Sequence, residues 1–179
     1  VNTEGFSFEN TYFQLTEDIT LPTVWKPIGV TKDGRKDLKN GENLNAFSGI
    51  FDGNNHTVTV PEGGLPLFGY VRNTRIRNLN IYGKKIAGYG LVNNFEGVGL
   101  SGMAVEIDNV TLKSGSSTLK SGLLGANKTM SPYAGCSSAF EATVRNCTIE
   151  KDVVIGYDRN ENEIGAIAGR MQGTVENCV

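Results

Sequence analysis

Apolar and polar residues alternate along this chain in short runs, bounded by Gly and Asn. Helical periodicity is almost absent, so the pattern predicts an all-β protein. Four runs superpose. They are Thr74-Arg-Ile-Arg-Asn-Leu-Asn-Ile81, Val105-Glu-Ile-Asp-Asn-Val-Thr-Leu112, Ala142-Thr-Val-Arg-Asn-Cys-Thr-Ile149 and Gly173-Thr-Val-Glu-Asn-Cys-Val179. Their shared order is apolar, polar, apolar, charged, Asn, apolar, and the three complete runs add polar and then apolar. The common Asn residues are Asn78, Asn109, Asn146 and Asn177, spaced 31, 37 and 31 residues apart. A second feature precedes each run: Leu67-Phe-Gly69, Leu91-Val92, Leu123-Leu-Gly125 and Ile167-Ala-Gly169. Constant strands joined by loops of variable length are the mark of a solenoid, in which each unit buries its face against its neighbours. The pattern thus predicts a parallel β-helix.

Asn suits the bend because it tolerates the left-handed backbone region. Its amide can also bond to the Asn of the next coil. If alternation restarts at each Asn, three inward ladders follow. One holds Ile76, Ile107, Val144 and Val175, a second Leu79, Val110, Cys147 and Cys178, and a third Ile81, Leu112 and Ile149. Outward, Arg77, Asp108, Arg145 and Glu176 form a column of alternating sign. Arg75 with Glu106, and Lys113 with Glu150, begin two more. Opposite charges stacked across strands attract, so these columns predict a register device.

Composition narrows the function classes. The chain has 179 residues, 39% of them hydrophobic and 20% charged, with a formal net charge of −2. This balance gives no electrostatic reason to expect nucleic acid or an anionic membrane as partner. With a mean hydropathy of −0.23 and no long apolar run, no membrane insertion is expected in this segment. The chain begins at Val1 and stops within a strand-like run, so it reads as a segment of a longer chain. Cys136, Cys147 and Cys178 are too few and too far apart for a disulfide framework or a zinc motif. Cys147 and Cys178 read as small buried hydrophobes, and Cys136, in a Gly/Ser loop, as the one thiol open to reagents. Asn-x-Thr sequons begin at Asn55, Asn109, Asn127 and Asn146. Two of them fall on the Asn ladder, which argues against glycan acceptance there.

The N-terminal third carries a more specific signal. Tyr12-Phe-Gln-Leu-Thr-Glu-Asp-Ile-Thr-Leu21 is followed by Trp25-Lys-Pro-Ile-Gly29. Then come Phe47-Ser-Gly-Ile-Phe-Asp-Gly-Asn-Asn-His-Thr-Val-Thr-Val60 and Leu67-Phe-Gly-Tyr-Val71. This order resembles bacterial surface proteins with GLUG-type repeats, including adhesin-like proteins and the non-catalytic repeats of some immunoglobulin A-cleaving metallopeptidases. The resemblance implies a right-handed, single-stranded parallel β-helix (a solenoid) with an N-terminal capping segment, extracellular and displayed on a bacterial cell surface. Residues 1–46 then supply cap strands and a polar loop, and residues 47–179 the coils. Asp52-Gly-Asn-Asn55 is a turn signal between two strands. Trp25 and the first strand are expected to cover the end of the stack, since a bare sheet end is adhesive.

Candidate chemistry is sparse. His56 is the only histidine and lacks metal-ligand spacing, so it reads as a strand-start surface residue. Asp158-Arg-Asn-Glu-Asn-Glu163 begins like a calcium loop, yet Glu163 stands where Gly is needed and Gly169 where Glu is needed. Neither Ser114-Gly-Ser-Ser-Thr118 nor Gly135-Cys-Ser-Ser138 matches a nucleophile elbow. No catalytic residue, metal site or cofactor is therefore assigned. The ligand candidates lie in two loops: Lys32, Arg35 and Lys36 within residues 31–45, and Tyr133 within 126–139.

The expected function is that of a non-enzymatic adhesion or interaction scaffold, or a stalk, facing host or microbial surface glycans or proteins. The alternative is a carbohydrate-active enzyme, a polysaccharide lyase or glycoside hydrolase, because β-helices also carry such chemistry. A glycosidase needs two carboxylates roughly 5–9.5 Å apart. Asp108 and Glu176, two levels apart at ~9.6 Å by strand spacing, have Arg145 between them and make a poor pair.

Overall fold

The computed structural model describes residues 8–29, 38–39, 42–43, 46–96, 105–127, 142–157, 164–171 and 173–179. Among these there is no helix, and the strands stack in levels. The first level holds β1 (Tyr12–Gln14) and β2 (Ile19–Thr20), followed by a small antiparallel pair, β3 (Leu38–Lys39) and β4 (Glu42–Asn43). The second holds β5 (Ile50–Asp52), β6 (Thr57–Val60) and β7 (Phe68–Arg72). The third holds β8 (Thr74–Gly83) and β9 (Val92–Glu96). The fourth holds β10 (Val105–Leu112), β11 (Ser117–Thr118) and β12 (Leu124–Asn127). The fifth holds β13 (Ala142–Arg145), β14 (Thr148–Ile149), β15 (Val154–Ile155) and β16 (Ala168–Arg170), and β17 (Gly173–Glu176) opens the sixth.

The main sheet runs β1-β5-β8-β10-β13-β17, with β2, β6 and β14 extending the same levels, and all of its pairings are parallel. A second parallel sheet runs β16-β12-β9-β7. There the second recurring feature lines up: Phe68, Val92, Leu124 and Ala168 share one register position. Ile28 bridges Phe68, so the Trp25–Gly29 block is the first level's member of that series. β11 and β15 form a third, narrow parallel pair. The protein is thus all-β and built mainly of parallel sheets, and β1 and β2, within its first 46 residues, continue the stacking of the rest.

The bend at Asn is a backbone fact. Asn78, Asn109, Asn146 and Asn177 have φ of 51°, 54°, 54° and 51°, in the left-handed region that Asn tolerates and β-branched residues avoid. Two consecutive residues, the charged one and the Asn, separate inward neighbours such as Ile76 and Leu79 where alternation would give one, which turns the sheet through a corner. The inward column before the corner is Phe13, Phe51, Ile76, Ile107, Val144 and Val175. After it comes Ile19, Val58, Ile81, Leu112 and Ile149. Ile76, Ile107, Val144, Val58, Ile81 and Leu112 are fully buried. Burying each stabilises by roughly 1.5–3 kcal/mol relative to exposure. Val175, on the last level, is 48% exposed because nothing stacks on it. At the N-terminal levels Phe8, Phe13, Phe47, Phe68 and Phe51 form a chain of tilted or edge-to-face rings with centroids 5.3–5.8 Å apart. Trp25 packs half-buried against this core, and its indole N–H donates to the Pro66 carbonyl at 3.3 Å.

Close approach of successive levels explains two glycines. A Cβ at Gly90 would fall 1.8 Å from the Gly122 carbonyl oxygen, and one at Gly122 would fall 2.0 Å from that of Ala166. No side chain fits there without parting the levels.

Cys147 and Cys178 follow their bends on adjacent levels and are unbridged. Cys147 is fully buried and donates to the Arg145 carbonyl at 3.2 Å. Burial, with Cys178 beside it, pushes the Cys147 thiol up to about 12. Cys178 is half-buried, since it lies on the last level. Thiolate is the species that alkylates, so Cys178 is expected to label with iodoacetamide at least tenfold faster than Cys147 in native protein. Equal rates, read by peptide mass mapping, would contradict this packing. Cys136 lies outside the described residues.

Candidate functional site

The Asn corner divides the outer surface of the main sheet into two strips. On the strip before the corner, one outward position carries Asp52, Arg77, Asp108, Arg145 and Glu176 on five successive levels. The neighbouring outward position carries Arg75 and Glu106. These side chains engage one another. Glu106 binds both Arg75 and Arg145, and Arg145 Nε also meets Asp108 Oδ2 at 3.1 Å. Arg77 was expected to face Asp108 but pairs with Asp52 instead, at 2.9 Å. The reason is burial: Asp52 is 5% exposed, and a carboxylate so desolvated gathers every donor in reach. It accepts from the Tyr12 hydroxyl (3.0 Å), the Asn54 backbone N–H (2.9 Å) and the Asn78 amide (3.2 Å) as well.

The Asn ladder runs alongside. Asn109 donates to Asn78 at 2.9 Å, and Asn177 to Asn146 at 3.4 Å. Between those pairs the ladder steps sideways: Asn146 donates to Asp108 Oδ1 at 2.8 Å, joining the amide column to the charged one.

Electrostatics follow from these partners. Burial raises Asp52, but the Asn54 N–H, the Asn78 amide, Tyr12 and Arg77 outweigh it and hold the carboxyl below the usual range. Burial likewise raises Asp108, and Asn146 and Arg145 bring it below. Lys113, at 2.5 Å, and the Ser114 N–H hold Glu150 low. Such groups stay ionised at neutral pH. A general acid requires the opposite, a carboxyl held near the working pH.

Asp108→Arg is expected to destabilise more than Asp108→Ala, because it sets three cations in a row between Asp52 and Glu176. The excess shrinks as salt rises, since these groups are partly solvated. Melting curves of both variants at low and high ionic strength measure it. Identical curves at low salt would mean the column carries no energy.

The strip after the corner is different in kind. Asp18, Ile19, Thr20, Thr57, Thr59, Tyr82, Lys113, Ser114 and Glu150 line an open groove of about 400 Å³. His56 stands at its edge, just before β6, with Nδ1 3.2 Å from Asp18 Oδ1. The Thr57 N–H donates to the same oxygen at 2.8 Å, and this bond, with His56, holds Asp18 low. The loop candidates Lys32, Arg35, Lys36 and Tyr133 lie outside the described residues. The repeat alignment named Lys113 and Glu150 but missed the rest of the groove. Alternation in Thr57-Val-Thr-Val60, and Tyr82 following the inward Ile81, were the signals that mark it.

Among the described residues no three His, Cys, Asp or Glu side chains converge as metal ligands. No described helix is long and apolar enough to cross a membrane. Compared with family models, curated proteins and solved structures, the chain matches none.

Proposed function

We propose that the stacked levels close into a right-handed, single-stranded parallel β-helix. We propose further that the chain is a non-enzymatic interaction module, an adhesion scaffold or stalk, of a bacterial cell-surface protein of the GLUG-repeat type. Its partners on this reading are surface glycans or proteins. The observation that carries it is the state of the outer carboxylates. Asp52, Glu106, Asp108 and Glu150 each contact a cation on a neighbouring level, which suits a rigid display surface. In-register parallel pairing across six levels supports the β-helix.

The test is turnover. Incubation with polygalacturonate and with a neutral glucan, followed by chain-end analysis, is expected to show no cleavage. Reproducible cleavage that Asp108→Asn abolishes would replace this reading with a lyase or glycoside hydrolase.

A further inference from the structure

The two strips beside the Asn corner differ in how their side chains are satisfied. Before the corner, carboxylates, guanidinium groups and amides bond to one another. After it, the hydroxyls of Thr20, Thr57, Thr59 and Tyr82 have no protein hydrogen-bond partner among the described residues. They face the groove instead. A row of unpaired hydroxyls around an aromatic ring is the chemistry of a polyol site, in which few polar groups orient a ligand and a ring face supplies contact area.

The register gives the site a length and a direction. Thr20, Thr59 and Tyr82 stand at one outward position on three successive levels. The Lys113 N–H bonds to the Ile81 carbonyl at 2.8 Å and that of Glu150 to Leu112 at 2.9 Å, which continues the column for two levels more. Adjacent positions are ~4.8 Å apart, close to the length of one pyranose unit. A glycan lying across the strands therefore meets one side chain per sugar. Tyr82, the third of the five, sits at the middle. Beside it the turn closed by the Ser116 N–H on the Lys113 carbonyl (3.1 Å) places Gly115, with a φ of 78°, next to the ring.

Charge selects among glycans. Lys113 and Glu150 neutralise each other across 2.5 Å, and Asp18 adds an exposed negative charge at the other end. The groove offers an acidic sugar no spare cation and repels it at Asp18. We propose that this groove binds a neutral, β-linked glycan with equatorial hydroxyls, its central pyranose stacked on Tyr82 and its hydroxyls bonded to Thr20, Thr57 and Thr59. The assignment deepens the interaction-module reading and rests on it.

The experiment is isothermal titration of the chain with cellohexaose, and with hexagalacturonate as the anionic counterpart. Cellohexaose is expected to bind and hexagalacturonate to bind at least tenfold more weakly. Tyr82→Ala is expected to weaken cellohexaose by about tenfold or more, by loss of the stacking face. Tyr82→Phe loses one hydrogen bond and weakens it only about threefold. Asp108→Asn, on the other strip, leaves binding unchanged. Melting curves confirm that each variant is folded. No binding of cellohexaose, equal binding by Tyr82→Ala, or preference for hexagalacturonate would overturn the site while leaving the module reading in place. Cleavage of the bound hexaose would instead overturn the non-enzymatic reading.

Discussion

Asp52→Ala is expected to cost about 1–3 kcal/mol of folding stability, the range for leaving buried hydrogen-bonding groups without their partner. The loss is large because four donors converge on this carboxylate from three levels. Tyr12 reaches it from β1, Asn54 from its own turn, and Arg77 and Asn78 from β8. Truncation leaves the Arg77 guanidinium and the Asn54 N–H without their acceptor at once. Asp52→Asn keeps an acceptor for one donor and costs less. The pH dependence has a definite sign. The folded carboxyl is a stronger acid than the unfolded one, so its stabilisation is complete above the unfolded value, near pH 4. It disappears as the pH falls through the lower folded value. Urea denaturation followed by Trp25 fluorescence should show a steep acid limb in the parent and a shallower one in Asp52→Asn. A loss under 1 kcal/mol for Asp52→Ala would mean that the network adds little beyond solvation.

Leu112→Ala is expected to cost about 2–5 kcal/mol, through lost burial and the cavity left behind. Leu112 is fully buried between Ile81 and Ile149 in the column after the corner. Levels on both sides hold their backbones by parallel ladders, so the gap cannot close by collapse. Ile149→Ala, in the same column but only half-buried, should cost less than half as much. Denaturant midpoints of the two variants distinguish a graded stack from a uniform one, and equal losses would rule out the gradient.

Much of this architecture was legible because strand stacking leaves a periodic trace. Asn at four successive bends, Ile or Val two residues earlier and a charge of alternating sign one residue earlier are each set by a single physical need, repeated level after level. Legibility failed where a level solved the same need with different residues. Asp52 precedes Gly53 as Arg77 precedes Asn78, but the Asn54-Asn55 turn that follows hides the equivalence, so the most connected carboxylate fell outside the alignment. The ladder step at Asn146 was equally hidden, since choosing between Asn109 and Asp108 as acceptor depends on side-chain geometry and not on spacing. The groove leaves no such periodic trace, for another reason. Its residues repeat in position but not in type, because Thr, Thr, Tyr, Lys and Glu share exposure and nothing else.

The outward charges and the inward apolar column together give each level an address. Asp52, Arg77, Asp108, Arg145 and Glu176 read as a parity check: a slip by one level sets like charge on like and is disfavoured, whereas a slip by two passes unnoticed. The inward column catches what parity misses. It descends in pairs, Phe13 and Phe51, then Ile76 and Ile107, then Val144 and Val175, so a shift of two levels always brings a residue of the wrong volume. A chain whose strands are nearly interchangeable in backbone shape thereby encodes one order of assembly, written as a sign in one column and a size in the next.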